Sequence, residues 1–132
     1  MAASPVLADS SYYIRLLRER RDPFQALALA AEIRDLAVCG IIRCEVGRAL
    51  RPARVRDRFR AFWDVMINVP LDNRLWSEVE DLLWDLGRQG QTIPLTAAVI
   101  ACCARRIGAV VLTFDHHFEA IPGLRTTDRF ED

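Results

Sequence analysis

Lysine is missing from this chain: all eighteen basic side chains are arginine. A phosphoacceptor receiver domain also gathers acids at strand ends, but it reads its phosphate through a lysine, so that class is excluded. No G-x-x-x-x-G-K-[ST] is present for a P-loop and no G-x-G-x-x-G for a dinucleotide fold. C-x-x-C pairs are missing too. The four cysteines, Cys39, Cys44, Cys102 and Cys103, have no zinc-ligand spacing, and we read them as small buried hydrophobes. No apolar run approaches the roughly 18 residues of a membrane span. The opening MAASPVLADSSYYI lacks the basic flank and long apolar stretch of a secretory signal, so the expected compartment is the cytoplasm, with no membrane partner. Proline and glycine are scarce at six each, and 52% of residues are apolar, a balance that belongs to a globular chain rather than a disordered one.

A length of 132 residues fits one domain, 1–132, able to bury roughly two-thirds of its unfolded surface without staples. The net charge is zero, so the whole chain carries no basic signature for nucleic acid. Its distribution is uneven. Seven arginines between Arg43 and Arg60 face only Glu45 and Asp57, while Asp64 to Asp85 holds six acids against Arg74 alone.

Val6 to Ala8 is a short apolar run ending in Asp9-Ser10-Ser11. It predicts a buried strand that delivers an acid at its carboxyl end, then a serine-capped helix from Tyr12 to about Arg20. Asp22-Pro23 predicts the cap and first position of an alanine-rich helix to about Arg34, with a strand at Leu36 to Cys39. From Ile41 to Leu50, the residues Ile41, Ile42, Glu45, Val46, Ala49 and Leu50 recur at helical spacing, which puts Glu45 inside an apolar stripe. Pro52 ends that helix. The next turns Val55, Phe59, Phe62 and Trp63 inward and arginines outward, before a strand at Val65 to Val69. From Asp72 a long amphipathic helix carries Leu75, Trp76, Val79, Leu82, Leu83 and Leu86 and stops before Gly87. Thr96 caps a helix that ends at Ile107 before Gly108. Val110 to Thr113 is a strand, Asp115 lies just past it, and at most one short strand follows Pro122.

Short apolar strands without alternation, separated by helices, imply a parallel sheet covered on both faces. Ligands bind such sheets beyond the carboxyl ends of the strands, where Asp9 and Asp115 are expected. Each acid has a bland reading: Asp9 as a helix cap, Asp115 as a cap for the turn at His116-His117, Glu45 as an arginine's partner. If all three share one cleft, they repel each other unless a hard cation neutralises them, so the cluster points to Mg2+ or Mn2+.

The segments VLADSSYYI, IIRCEVGRAL and IPLTAAVIACCARRIGAVVLTFDHHFEAIPGL resemble, in order and spacing, the successive motifs of PIN-domain ribonucleases of the VapC toxin type. The resemblance covers nearly the whole chain. It implies an α/β fold, a three-layer α/β/α sandwich around a short-stranded parallel sheet. It also implies a carboxylate cluster that binds Mg2+ or Mn2+ and hydrolyses single-stranded RNA, a VapB-type antitoxin partner and a homodimer. By position, Asp9 matches the first acid of the family, Glu45 the second and Asp115 the fourth, with Thr113 as the hydroxyl residue just before it. These four are the implied catalytic residues, with Asp9, Glu45 and Asp115 as metal ligands and Ser10 and Thr113 orienting them. The third acid does not match, because Ala97 stands where the family has Asp. Thr96 cannot replace it, since its side chain leaves the helix about 100° away. Engineered silencing and natural loss of the site both account for the alanine.

The arginines after Glu45 are expected to guide an RNA backbone toward the acids, or else to form a solvated face. Adjacent His116 and His117 do not share a helix face and take no metal role. Trp63, Trp76 and Trp84 sit on amphipathic stripes as core or dimer contacts. Two further readings stand beside the toxin nuclease: a non-catalytic PIN-like module that binds RNA or antitoxin, and a housekeeping nuclease of RNA processing.

Overall fold

A computed structural model describes residues 3–130. Five parallel strands form one sheet in the order β3-β2-β1-β4-β5. They are β1 (Val6–Ala8), β2 (Leu36–Cys39), β3 (Ile67–Val69), β4 (Val110–Leu112) and β5 (Thr126–Thr127). Six helices flank the sheet: α1 (Ser10–Arg18), α2 (Pro23–Ile33), α3 (Gly40–Gly47), α4 (Ala53–Asp64), α5 (Asn73–Arg88) and α6 (Leu95–Ile107), with a 3-10 helix at His116–Ala120. This is the α/β parallel-sheet architecture expected from the unalternating strands. Leu7, Val38 and Val111 on the three central strands are all buried, as strands covered on both faces require.

The strand order decides where a site can form. The chain runs from β1 outward through β2 to β3, then returns to the other side of β1 for β4 and β5. The crossovers diverge between β1 and β4, leaving a crevice at their carboxyl ends. The register pairs Ala8 with Leu112, so the next residues, Asp9 and Thr113, emerge side by side.

Several element ends differ from the sequence expectation. Asp9, not a serine, is the N-cap of α1, its side chain accepting from the Tyr12 N–H. Helix α3 stops at Gly47, and tighter turns carry the chain through Ala49 and Leu50, since glycine is a poor helix former and Pro52 cannot continue one. Strand β3 starts at Ile67 because Val65 and Met66 close the end of α4, Met66 N–H bonding to the Trp63 carbonyl. Helix α5 runs through Gly87, and the left-handed break falls at Gly90, φ 77°. Pro94 caps α6 in place of Thr96, which lies within the first turn. Gly108 ends α6 in the left-handed conformation as expected, φ 66°.

The core joins these layers. An aromatic group links α1, α2 and α4: Tyr13 meets Phe59 and Trp63 edge-on at 6.1 and 6.0 Å, and Phe24 packs on Phe59 at 4.8 Å. Helix α6 is buried along Ala97–Ala104, mostly small residues, and packs against α5 and α3. Cys39, Cys102 and Cys103 are buried as expected, but Cys44 is exposed because its position on α3 faces away from the Ile42 and Val46 stripe. Trp63 is core, whereas Trp84 is 65% exposed. Among the described residues, no helix is long and apolar enough to cross a membrane.

Candidate active site

A cavity of 610 Å³ lies at the carboxyl ends of β1 and β4, and Asp9, Glu45, Ala97 and Asp115 all line it. Four chain segments therefore deliver the three predicted acids and the alanine to one place. Asp9 comes from the end of β1, Glu45 from the middle of α3, Ala97 from the first turn of α6, and Asp115 from just beyond β4. Serines 10 and 11, Arg15 and Arg18 of α1 complete the wall on one side.

Asp9 is held firmly. Its Oδ1 accepts from the Tyr12 N–H at 3.1 Å and from the Ser11 hydroxyl at 2.8 Å, and its Oδ2 accepts from the Thr113 hydroxyl at 2.8 Å. Backbone donors hold the other side of both hydroxyls: Phe114 N–H reaches Ser11 Oγ at 3.1 Å and Asp115 N–H reaches Thr113 Oγ1 at 2.9 Å. With their lone pairs so engaged, the hydroxyl protons are directed at Asp9. Burial is the largest influence on this carboxyl and pushes its pKa up; the bonds from Ser11, Thr113 and Tyr12 oppose the rise, and the charge of Asp115 adds to it.

The other two acids are looser. Glu45 is half-buried, and its Oε1 accepts from the Ser10 hydroxyl at 2.7 Å. Asp115 caps the 3-10 helix: its Oδ1 accepts from the His117 N–H at 2.9 Å, and the His117 ring Nδ1 lies 2.6 Å from the same oxygen. The capping role considered for Asp9 and Asp115 is thus real at both, and it leaves each facing the cavity. The two histidine rings stack at 4.8 Å. The tight 3-10 turn brings them together.

The donor set suits a hard divalent cation in kind: oxygen donors only, and a negative Asp115 close enough to Asp9 to disfavour its ionisation, a repulsion that a cation offsets. It is one ligand short. Among the described residues, no three His, Cys, Asp or Glu side chains form a group arranged to hold a metal ion, and α6 contributes the buried methyl of Ala97.

Several residues here were not singled out from sequence. Ser11 joins Thr113 in bonding to Asp9, while Ser10, expected to orient a carboxylate, bonds to Glu45. Arg15 and Arg18 line the cavity, whereas no arginine between Arg43 and Arg60 does. The signal was available, because Ser11, Arg15 and Arg18 recur at four- and three-residue steps and so share one face of α1. His117 carries no comparable pattern. Its role follows from the local turn.

No curated protein sequence matches the chain. Solved structures do. VapBC2 from Rickettsia felis bound to a DNA fragment from their promoter superposes with a TM-score of 0.76 at 16% identity, covering 93% of this chain and 97% of that one. DNA-bound VapBC from Salmonella typhimurium gives 0.76 at 21%, covering 95% and 98%. Mycobacterium tuberculosis VapC20, a sarcin-ricin loop cleaving toxin, gives 0.64 at 14%, covering 91% and 98%. At such identities the likeness is one of fold. The model of the PIN domain family matches residues 6–124, nearly the whole chain, and the chain belongs to that family.

Proposed function

We propose that this chain is a ribonuclease of the toxin type that cleaves phosphodiester bonds of single-stranded RNA with Mg2+ or Mn2+, and that Ala97 restrains it in this form. The observation that carries the reading is the convergence of Asp9, Glu45 and Asp115 with Ala97 on one cavity at the β1–β4 crevice. Asp9 and Asp115 would hold the ion, with Glu45 as a further ligand or the group that positions the attacking water. Held by these acids, such an ion would supply positive charge for the phosphate and a water of lowered pKa. The protein's own contributions are more specific. Ser11, Thr113 and the Tyr12 amide fix the Asp9 carboxylate, Ser10 fixes Glu45, and His117 fixes Asp115. Arg15 and Arg18 supply positive charge beside the acids for an RNA phosphate. Solved relatives named as VapBC support a VapB-type antitoxin as partner, and the expected setting is the cytoplasm. The exposed apolar residues Trp84, Ile33 and Leu95 are candidates for contacts in a homodimer.

The methyl of Ala97 favours one second reading, a PIN-like module that binds RNA or antitoxin without cutting. Ala97→Asp separates the two. It should raise Mn2+ affinity in a calorimetric titration, and cleavage of single-stranded RNA, by at least the roughly 10- to 100-fold that even outer-shell groups command. Equal, weak Mn2+ binding by both forms, with no gain in cleavage, would establish the binding module instead.

A further inference from the structure

The acid cavity has a neighbour. A second cavity of 470 Å³ is lined by Thr113, His116, Thr126 and Thr127 with the acids Glu119 and Asp128 among them, and it shares Arg15, Phe114 and Asp115 with the first. Phe114 therefore lies on the boundary between the two spaces, where a polymer reaching from one to the other would meet it. This ring sits between Thr113 and Asp115 in sequence, and its own N–H donates to the Ser11 hydroxyl that holds Asp9. The ring is therefore tied to the acid network through its backbone.

Phe114 is half-buried and backed by the buried Tyr12, whose ring stacks on it at 5.4 Å with 10° between planes. The Arg15 guanidinium carbon lies 4.3 Å from the Phe114 centroid. The Arg15 side chain is 55% exposed, and its Nε sits 3.3 Å from Glu19 Oε2. Its contacts are a surface ion pair and an exposed cation–π contact, both weak. A phosphate offers the guanidinium a charge-assisted, two-pronged partner that is stronger than either.

We propose that Phe114 is the surface on which the nucleobase next to the scissile phosphate stacks, with Arg15 covering the ring until an RNA phosphate draws the guanidinium away. The inference rests on the ribonuclease reading and adds a residue to it. Single-stranded RNA is gripped in this way generally, unstacked bases lying on aromatic rings while arginines track the backbone. The Tyr12 backing makes the platform rigid before RNA arrives, so little ordering is required when a base settles on it.

The test uses the full chain and single-stranded RNAs of about a dozen nucleotides, each carrying one 2-aminopurine at a different position. With Mg2+ present, one position should show a fluorescence change on binding. Phe114→Leu should abolish that change and weaken binding about tenfold, and Phe114→Tyr should keep both near wild type. Arg15→Gln should keep the signal while making the salt dependence of log K shallower by about 0.7. Cross-linking of wild-type protein to 5-iodouridine RNA, mapped by mass spectrometry, needs no variant and should place the adduct on Phe114. Unchanged signal and affinity in a folded Phe114→Leu, or adducts mapped only elsewhere, overturn this inference alone. Absence of any RNA binding by wild type overturns the ribonuclease reading and this inference with it.

Discussion

The seven arginines between Arg43 and Arg60 outnumber the two that α1 sends to the acid cavity, yet among the described residues only those two line it. Members of the larger group serve the fold. Arg43 pairs with Asp64 at 2.8 Å and donates to Asn68 at 3.1 Å, joining α3 to the end of α4 and to β3. Arg58 lies over the Phe24 ring at 4.1 Å and so ties α4 to α2. Density of charge along a sequence says how much field a surface can produce. Only the topology says where that field falls, and here the helix that follows β1 points it at the acid cavity.

Three experiments bear on this contrast. The largest effect is expected for Arg15→Gln combined with Arg18→Gln, which should cost about tenfold in RNA affinity at low salt and make the salt slope shallower by roughly 1.4. Fluorescence anisotropy across a salt series measures both quantities. Neutralising the exposed Arg51 and Arg54 should move affinity less than twofold; a comparable loss would erase the distinction between the two groups. Next, Arg58→Ala should lower folding stability by about 0.5–1 kcal/mol through loss of the contact with Phe24, seen as a lower urea midpoint with RNA affinity unchanged. The smallest effect concerns a third kind of arginine. Arg106 donates to Asp72 at 3.0 Å, and this bond, followed by the Leu75 N–H, holds the Asp72 carboxyl below the usual carboxylate range. A folded-state value below the unfolded one contributes stability above the ordinary range, and that contribution is lost as pH falls through the folded value. Thermal melts taken from neutral pH into the acid range should therefore fall slightly less steeply in Arg106→Gln than in wild type. An identical slope would mean that this pair, like many exposed ones, contributes nothing measurable.

Much of the fold was legible because its signals are local. Asp22-Pro23 announces α2, Gly108 terminates α6, and the unalternating strands predict a parallel sheet. Element ends were less legible because they depend on three-dimensional bonds, such as the Met66 N–H to the Trp63 carbonyl. The acids were found by their discomfort: Glu45 on an apolar stripe and Asp9 and Asp115 at strand ends were hard to place otherwise. Of their partners, Ser10 and Thr113 were named from sequence, whereas Ser11 and His117 were not. Whether Ser10 or Ser11 reaches Asp9 depends on the rotation of α1 about its axis, and that rotation is set by packing of Tyr12, Tyr13 and Leu16. The arginines were assigned by number in sequence, a criterion blind to which side of the sheet edge a helix occupies.

The hydroxyls beside Asp9 have a consequence for how the crevice is held together. Both point their hydrogens at the carboxylate because the amides of Phe114 and Asp115 hold their other side. Asp9 is in this way surrounded by donors that favour its charged form, against the burial that raises its pKa. The wiring also crosses the crevice: hydroxyls from α1 and from the end of β4 hold one carboxyl at the end of β1, so a shift in either segment reaches Asp9.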